Sequence, residues 1–123
     1  MRLPTPIPPV VPIRLVGPRG TKELDALVDT GATFCVLSVE DARDLGYDVA
    51  HSPKLQVATA GGLIRLPRVT VSAIEALGFR RVHVPTLVKD LSDSGVEAIL
   101  GWSFLDRFRV TVDARHKWLE LAA

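Results

Sequence analysis

The alternation of apolar and polar residues along the chain predicts a series of short β-strands. Residues 11–16 and 22–28 are predicted as two strands on either side of a Gly-Pro-Arg-Gly turn at residues 17–20, since glycine and proline mark turns most strongly. A further extended run follows at residues 33–37.

The second half of the chain continues in strands. Residues 55–60 and 63–71 flank Gly61-Gly62, a pair that permits the positive φ angles of a two-residue hairpin. The remaining predicted strands cover residues 81–88, 98–100, 110–113 and 118–121, and the last two form a hairpin.

Two short helices interrupt the strands. Ser38 and Asp41 have the spacing of a capping box, and Gly46 can end a helix, so residues 39–45 are predicted to be helical. Residues 102–107 form the second predicted helix. About eight strands with two short helices indicate a mainly β fold that closes into a barrel or folds over on itself.

Five of the nine prolines lie between Pro4 and Pro12. Proline excludes helix and lacks the amide that a central strand needs, so this segment is predicted to be extended. An edge strand from Val10 and a disordered lead-in are both compatible with it. The chain is therefore divided into a proline-rich N-terminal arm, residues 1–12, and one domain, residues 13–123.

The composition is that of an ordinary soluble domain, with 47% hydrophobic and 24% charged residues in 123. A formal charge of +1 argues against nucleic acid and membrane surfaces as partners, because both normally need clustered positive charge. No apolar run approaches the ~18–20 residues that span a bilayer, and the first residues lack a signal-peptide pattern. The single cysteine, Cys35, excludes an intrachain disulfide and a Cys-built zinc site, and a cytoplasmic location is expected.

One acidic residue stands on a turn of small residues where an apolar strand ends. This turn is Asp29-Thr30-Gly31-Ala32, and about seventy residues later Ile99-Leu100 closes on Gly101 before a predicted helix. Two carboxyl groups about 3 Å apart share one proton, and such a pair can act as acid and base at once. The small residues at the turn allow the flanking backbone to approach closely.

The two segments together resemble the retropepsin-like aspartic proteases, in the same order along the chain and over residues 11–121. The resemblance implies a closed acid-protease-like β-barrel with a flap hairpin and one or two short helices. It also implies an aspartic endopeptidase that needs no metal or organic cofactor. The roles that it implies are these: Asp29 is catalytic; Thr30, Gly31 and Ala32 support the active-site loop; Thr59, Ala60, Gly61 and Gly62 form the flap over the substrate; Ile99, Leu100 and Gly101 are structural beside the site.

The chain supplies only one such acid. Asp93-Ser94-Gly95 is rejected as a second copy, because no apolar strand precedes it, and is predicted to be a surface turn. A working site would therefore lie on the two-fold axis of a homodimer, with Asp29 facing its own copy. The substrate would be an extended peptide or protein segment bound as an added strand. Possible pocket walls, which sequence does not separate from core, are Ile64, Leu87, Val88 and Ile99.

Two positions depart from the retroviral pattern. Where that pattern has an Arg after the glycine and an Asp just past the acid turn, this chain has Trp102 and Thr33. How the dimer is held is therefore open, and residues 118–121 are candidates for interface strands. Two further hypotheses are a catalytically weak or inactive dimeric peptide-binding module of the same fold, and a β fold in which the turn is merely structural. Cys35 is expected to be a small buried hydrophobe.

Overall fold

Ten strands and two short helices make up the structure, a computed structural model that describes residues 1–123. Strands account for 54% of the residues and helices for 8%. The strands are β1 (Arg2–Pro4), β2 (Val10–Gly17), β3 (Gly20–Val28), β4 (Cys35–Leu37), β5 (Lys54–Thr59), β6 (Gly62–Ala76), β7 (Phe79–Val88), β8 (Ala98–Leu100), β9 (Arg109–Asp113) and β10 (Trp118–Ala122). The helices are α1 (Val39–Asp44) and α2 (Trp102–Leu105), and both fall short of the length and hydropathy of a membrane-spanning helix.

Six of the strands close into a barrel in the order β2-β3-β8-β4-β7-β6. The ring closes because β6 pairs back onto β2, with Leu15 opposite Ile74. The pairs β3–β8 and β4–β7 are parallel, whereas the other neighbours in the ring are antiparallel. A closed ring leaves no unpaired edge among its members. The predicted fold class, a mainly β closed barrel with short helices, is confirmed.

β6 serves both the barrel and the hairpin that projects from it. Its first part, up to Pro67, pairs with β5, and from Arg68 onward it pairs with β7. The sequence predicted that this strand ends at residue 71, which is wrong. The strand continues to the turn at Leu77 and Gly78, both with positive φ. Gly78 was the sequence signal for this turn, and it was overlooked because it stands alone beside Leu77 among apolar residues.

The main core combines residues of all six barrel strands with residues of the two helices and of β10, while a smaller apolar cluster lies on the other side of β4 and β7. Successive side chains of a strand point to opposite faces, so Cys35 and Leu37 enter the main core whereas Val36 joins the smaller cluster. In β7, Leu87 belongs to the smaller cluster and Val88 to the main core. This alternation gives the barrel wall a second apolar face beneath the β5–β6 hairpin.

The two termini pair with each other outside the barrel. β1 lies against β10, which pairs on its other edge with β9. Both edges of β10 are thus occupied within the chain, so residues 118–121 offer no free edge to a partner strand. Val10 begins β2 and pairs with Leu27, so a strand does start at the predicted residue. It is not the edge strand that was predicted, because residues 13–16 also pair with β6 and close the barrel.

The helix α1 begins as the sequence predicts. The Ser38 side chain accepts a hydrogen bond from the Asp41 amide at 3.1 Å. α2 is shorter than predicted and ends at Leu105. The carbonyls of Ser103 and Phe104 near its end accept hydrogen bonds from the Arg81 guanidinium of β7, which fixes α2 against the barrel.

Candidate active site

Asp29 follows β3 directly and opens a tight loop, residues 29–33, here termed the acid loop. Its amide donates to the Leu100 carbonyl of the parallel neighbour β8 at 3.1 Å, and its carbonyl accepts the Ala32 amide at 3.2 Å. The Asp29 carboxylate accepts the Gly31 amide at 2.8 Å. A Cβ on Gly31 would lie 3.1 Å from that carboxylate oxygen, so a side chain there would crowd the acid. The backbone thus holds the carboxylate, and Asp29 remains half-buried.

The start of α2 holds the acid loop from the other side. The amides of Trp102 and Ser103 donate to the carbonyls of Ala32 and Thr33, both at 2.9 Å. The Ser103 hydroxyl in turn accepts the Cys35 amide at 2.8 Å. These bonds connect the acid loop to the start of α2. The two segments were placed together from the sequence although about seventy residues separate them.

Gly101, which precedes α2, packs directly on this loop. A Cβ at this position would lie 2.5 Å from the Phe34 carbonyl oxygen and 2.7 Å from that of Ala32. Real Cβ atoms do not approach carbonyl oxygens so closely, so only glycine allows α2 to reach the acid loop. Ile99 and Leu100 lie in β8 just before it, with Leu100 buried in the main core and Ile99 facing the smaller cluster.

Asp29 borders a cleft of about 600 Å³ between the acid loop and the β5–β6 hairpin. A third wall is formed by the segment that follows β7, residues 89–94. Of the four predicted pocket walls, the structure places Ile64, Leu87 and Ile99 in the cleft, whereas Val88 lies in the main core with 1% exposure. The further apolar lining comes from Phe34, Val36, Val57, Ala58, Leu66 and Leu91. The cleft is thus apolar at its base and has charged side chains at its margins, with Asp29 on the acid loop and with Lys89, Asp90 and Asp93 on the third wall.

The tip of the β5–β6 hairpin differs by one residue from the predicted turn. Thr59 pairs with Gly62, so the two turn residues are Ala60 and Gly61, and Gly62 begins β6 with a φ of 118°. The Thr59 hydroxyl donates to the Gly62 carbonyl at 2.7 Å and closes the turn. Thr59 lines the cleft, while the other three predicted residues lie beyond it at the exposed tip.

A family model described as aspartyl protease matches residues 11–104, which include the acid loop, the β5–β6 hairpin and α2. The chain belongs to the aspartyl protease family. Its fold is retropepsin-like: a retropepsin-like aspartic protease from Rickettsia conorii has a similar crystal structure, with a TM-score of 0.70. That likeness covers 100% of this chain and 92% of the Rickettsia chain at 22% sequence identity. No curated protein matches the chain.

The turn around Asp93 and Ser94, which was rejected from the sequence as a second acid loop, lies at the edge of the cleft in this aspartyl protease. Asp93 and Ser94 lie in a turn between β7 and β8, as predicted, and the Ser94 hydroxyl donates to the Leu91 carbonyl at 2.6 Å. The structure also places both residues at the cleft, which the sequence did not suggest. Nearby, hydrogen bonds from the backbone and side chain of Ser92 lower the pKa of Asp90, and the same wall carries the cation of Lys89.

Trp102 was expected from the sequence to be a core or interface anchor. The structure instead leaves it 37% exposed, and its indole N–H donates to the Thr30 carbonyl at 2.6 Å. The sequence signals for a role at the site were its position next to Gly101 and its replacement of the retroviral Arg. Thr33 stands where the retroviral pattern has an Asp, and its carbonyl accepts a hydrogen bond from the Ser103 amide of α2.

Cys35 lies just behind the acid loop, and its Sγ is 3.9 Å from the Gly101 carbonyl oxygen. Cys35 is 2% exposed, as expected for a buried hydrophobe, and burial raises the pKa of its thiol. No three or more His, Cys, Asp or Glu side chains come together in a group that could hold a metal ion.

Proposed function

We propose that this protein is an aspartic endopeptidase that works as a homodimer, with one Asp29 from each subunit. The observation that carries the proposal is the Asp29 carboxylate, which the Gly31 amide holds at the margin of an apolar cleft. Membership of the aspartyl protease family supports the same chemistry.

Peptide hydrolysis by the aspartic mechanism uses two carboxyl groups close together. At about 3 Å they share one proton, because two negative charges so close are unfavourable. The ionised group removes a proton from water while the protonated group donates to the carbonyl oxygen, and a C–O bond forms. The carboxyl group that took the water proton then donates it to the amide nitrogen, and the other carboxylate takes a proton from a hydroxyl of the tetrahedral intermediate. The C–N bond breaks, acid and amine form, and the pair returns to its starting state.

The chain has a single acid loop, so the second carboxyl group would come from a second copy. A two-fold axis beside Asp29 brings the same residue from both subunits together without any additional sequence. Thr30 and Gly31 are exposed in the isolated chain, which leaves this side of the acid loop free to contact a partner.

The substrate would be an extended peptide with apolar side chains. The β5–β6 hairpin would act as the flap, since its tip is exposed and its inner residues line the cleft. The main chain of the peptide would bind as a strand, and alternate side chains would enter pockets formed by residues such as Ile64 and Leu87.

Measuring the mass in solution and peptide cleavage on the same samples tests this proposal. We expect a dimer whose cleavage of an unfolded protein is blocked by pepstatin and lost in Asp29→Asn, with the dimer intact. Asp25→Asn is the matched control, because Asp25 is an exposed residue of β3, the strand that Asp29 follows. A chain that stays monomeric with substrate present would contradict the shared site.

A measurement of peptide affinity on the same samples separates the enzyme from a dimeric peptide-binding module. A binding module retains peptide affinity in Asp29→Asn and shows no turnover in the unaltered chain. An enzyme shows turnover that disappears with this substitution.

A further inference from the structure

Trp102 contacts the acid loop through both its backbone and its side chain. The backbone amide donates to Ala32, and the indole N–H donates to the Thr30 carbonyl at 2.6 Å. The second bond is short for an N–H···O contact, whose usual length is about 2.9–3.0 Å. The indole has one donor and no acceptor, so this bond uses its entire capacity for hydrogen bonding.

The Thr30 carbonyl and the Gly31 amide belong to one peptide group. A peptide group is planar and trans, so its C=O and N–H point in opposite directions and turn together. The C=O of this group accepts from Trp102, and its N–H donates to the Asp29 carboxylate at 2.8 Å. Rotation of the peptide plane would therefore break both bonds. Hydrogen bonds at the two ends of a peptide group also polarise and strengthen each other.

We propose that Trp102 is a positioning residue for Asp29 and acts through the Thr30–Gly31 peptide group. Packing does not account for its position, because Trp102 is 37% exposed while Phe104 and Leu105 supply the buried side of α2. The indole keeps the Gly31 amide directed at the carboxylate, which then keeps one orientation toward its partner. The kinetic part of this inference rests on the proposed peptidase function.

The test compares two Trp→Phe variants. Trp102→Phe keeps an aromatic ring and removes the N–H donor. Trp118→Phe is the matched control, since Trp118 lies on β10, where its ring packs under the Arg2 guanidinium at 3.8 Å. We expect kcat to fall ~10–100-fold in Trp102→Phe with KM within about threefold, as misplacement of a catalytic group predicts. Trp118→Phe should change neither constant.

A second readout needs no activity. In Trp102→Phe the NMR signal of the Gly31 amide should move upfield and its hydrogen exchange should become faster, while Trp118→Phe leaves both unchanged. Trp102→Arg, which restores a long side chain with N–H donors, should recover part of the protection of Gly31 and part of kcat. In the unaltered chain, the Trp102 indole proton should exchange with solvent more slowly than that of Trp118, and this holds whether or not a variant folds.

An unchanged Gly31 amide in folded Trp102→Phe would overturn the inference, even if kcat fell. Equal exchange rates for the indole protons of Trp102 and Trp118 in the unaltered chain would also overturn the inference. Absence of any cleavage by the unaltered chain contradicts the peptidase proposal instead, and the Gly31 measurement still decides whether Trp102 positions Asp29.

Discussion

Gly101 and Phe34 approach so closely that a methyl group on the glycine would lie 2.5 Å from the phenylalanine carbonyl oxygen. Gly101 comes just after β8, and Phe34 comes just after the acid loop, so this contact holds the two elements together. It leaves no space for a side chain at position 101. The neighbouring atoms are backbone rather than the ends of flexible side chains. Relief of a clash here therefore requires the loop itself to move.

Gly101→Ala should lower the free energy of unfolding by about 1–3 kcal/mol, as overpacking does in well-packed interiors. We also expect peptidase activity to fall further than stability alone would explain, because the acid loop must shift. Urea unfolding compared with kcat/KM checks both parts. Gly61→Ala is the control for the unfolding measurement alone, since its nearest neighbour to a new Cβ lies at 3.9 Å and Gly61 itself belongs to the proposed flap. Equal midpoints for the two variants would contradict the prediction.

Lys22 of β3 holds α1 against the barrel through Asp41 and Asp44, each at 2.7 Å. Lys22→Met should lower stability by about 0.5–1 kcal/mol, which is typical for partly exposed ion pairs. Lys54→Met is a suitable control, because Lys54 is an exposed residue of β5. Chemical denaturation at pH 7 measures the difference between the two variants.

The same ion pairs predict a dependence on pH. Hydrogen bonds to Asp41 and then Asp44 raise the pKa of Lys22 well above its ordinary value. A pKa that is higher in the folded than in the unfolded chain adds stability that is fully present below the unfolded value, about 10.4, and is lost as pH rises through the folded one. The difference between the unaltered chain and Lys22→Met should stay constant from pH 7 to about pH 10 and shrink only above that. A difference that already declines between pH 7 and pH 9 would argue against this origin.

Cys35 should resist thiol reagents in the folded chain. The side chain is 2% exposed, and burial raises the pKa of its thiol, so little thiolate forms at pH 8. We expect labelling to be on the order of 100-fold slower than in urea-unfolded chain, since reaction requires local opening. Time courses read by mass spectrometry measure both rates. Complete labelling of the folded chain within minutes would show that β4 opens readily.

Thr59 closes the hairpin tip through its bond to the Gly62 carbonyl. Thr59→Val keeps the size and removes the donor, and loss of one hydrogen bond at an exposed turn weakens the hairpin by about 0.5–1.5 kcal/mol. If the hairpin covers the substrate, KM should rise several-fold while the thermal midpoint changes little. Thr70→Val, at an exposed position of β6 in the barrel, serves as control. A change in the thermal midpoint with KM unaltered would show that the hairpin supports the fold rather than the substrate.

Local chemistry made several features predictable from the sequence. Ser38 caps α1 because its partner is the amide of Asp41, three residues away. The Gly-Pro-Arg-Gly turn joins β2 to β3 because those residues turn the chain by themselves. The acid loop and Gly101 were recognisable because close backbone contact restricts each position to a few residue types.

Contacts between distant segments decided the rest. β6 continues beyond residue 71 because its final residues pair with β2, where Ala76 lies opposite Ile13. Leu87 lines the cleft and Val88 lies in the main core, because successive side chains of β7 point to opposite faces of the barrel wall. Both residues are apolar, so the sequence did not distinguish them. Asp93 borders the cleft only because the chain returns from β7 to β8 past the β5–β6 hairpin. Capping and turn formation act within a few residues and therefore show in the sequence, whereas strand pairing and burial join residues far apart and arise only when the barrel closes.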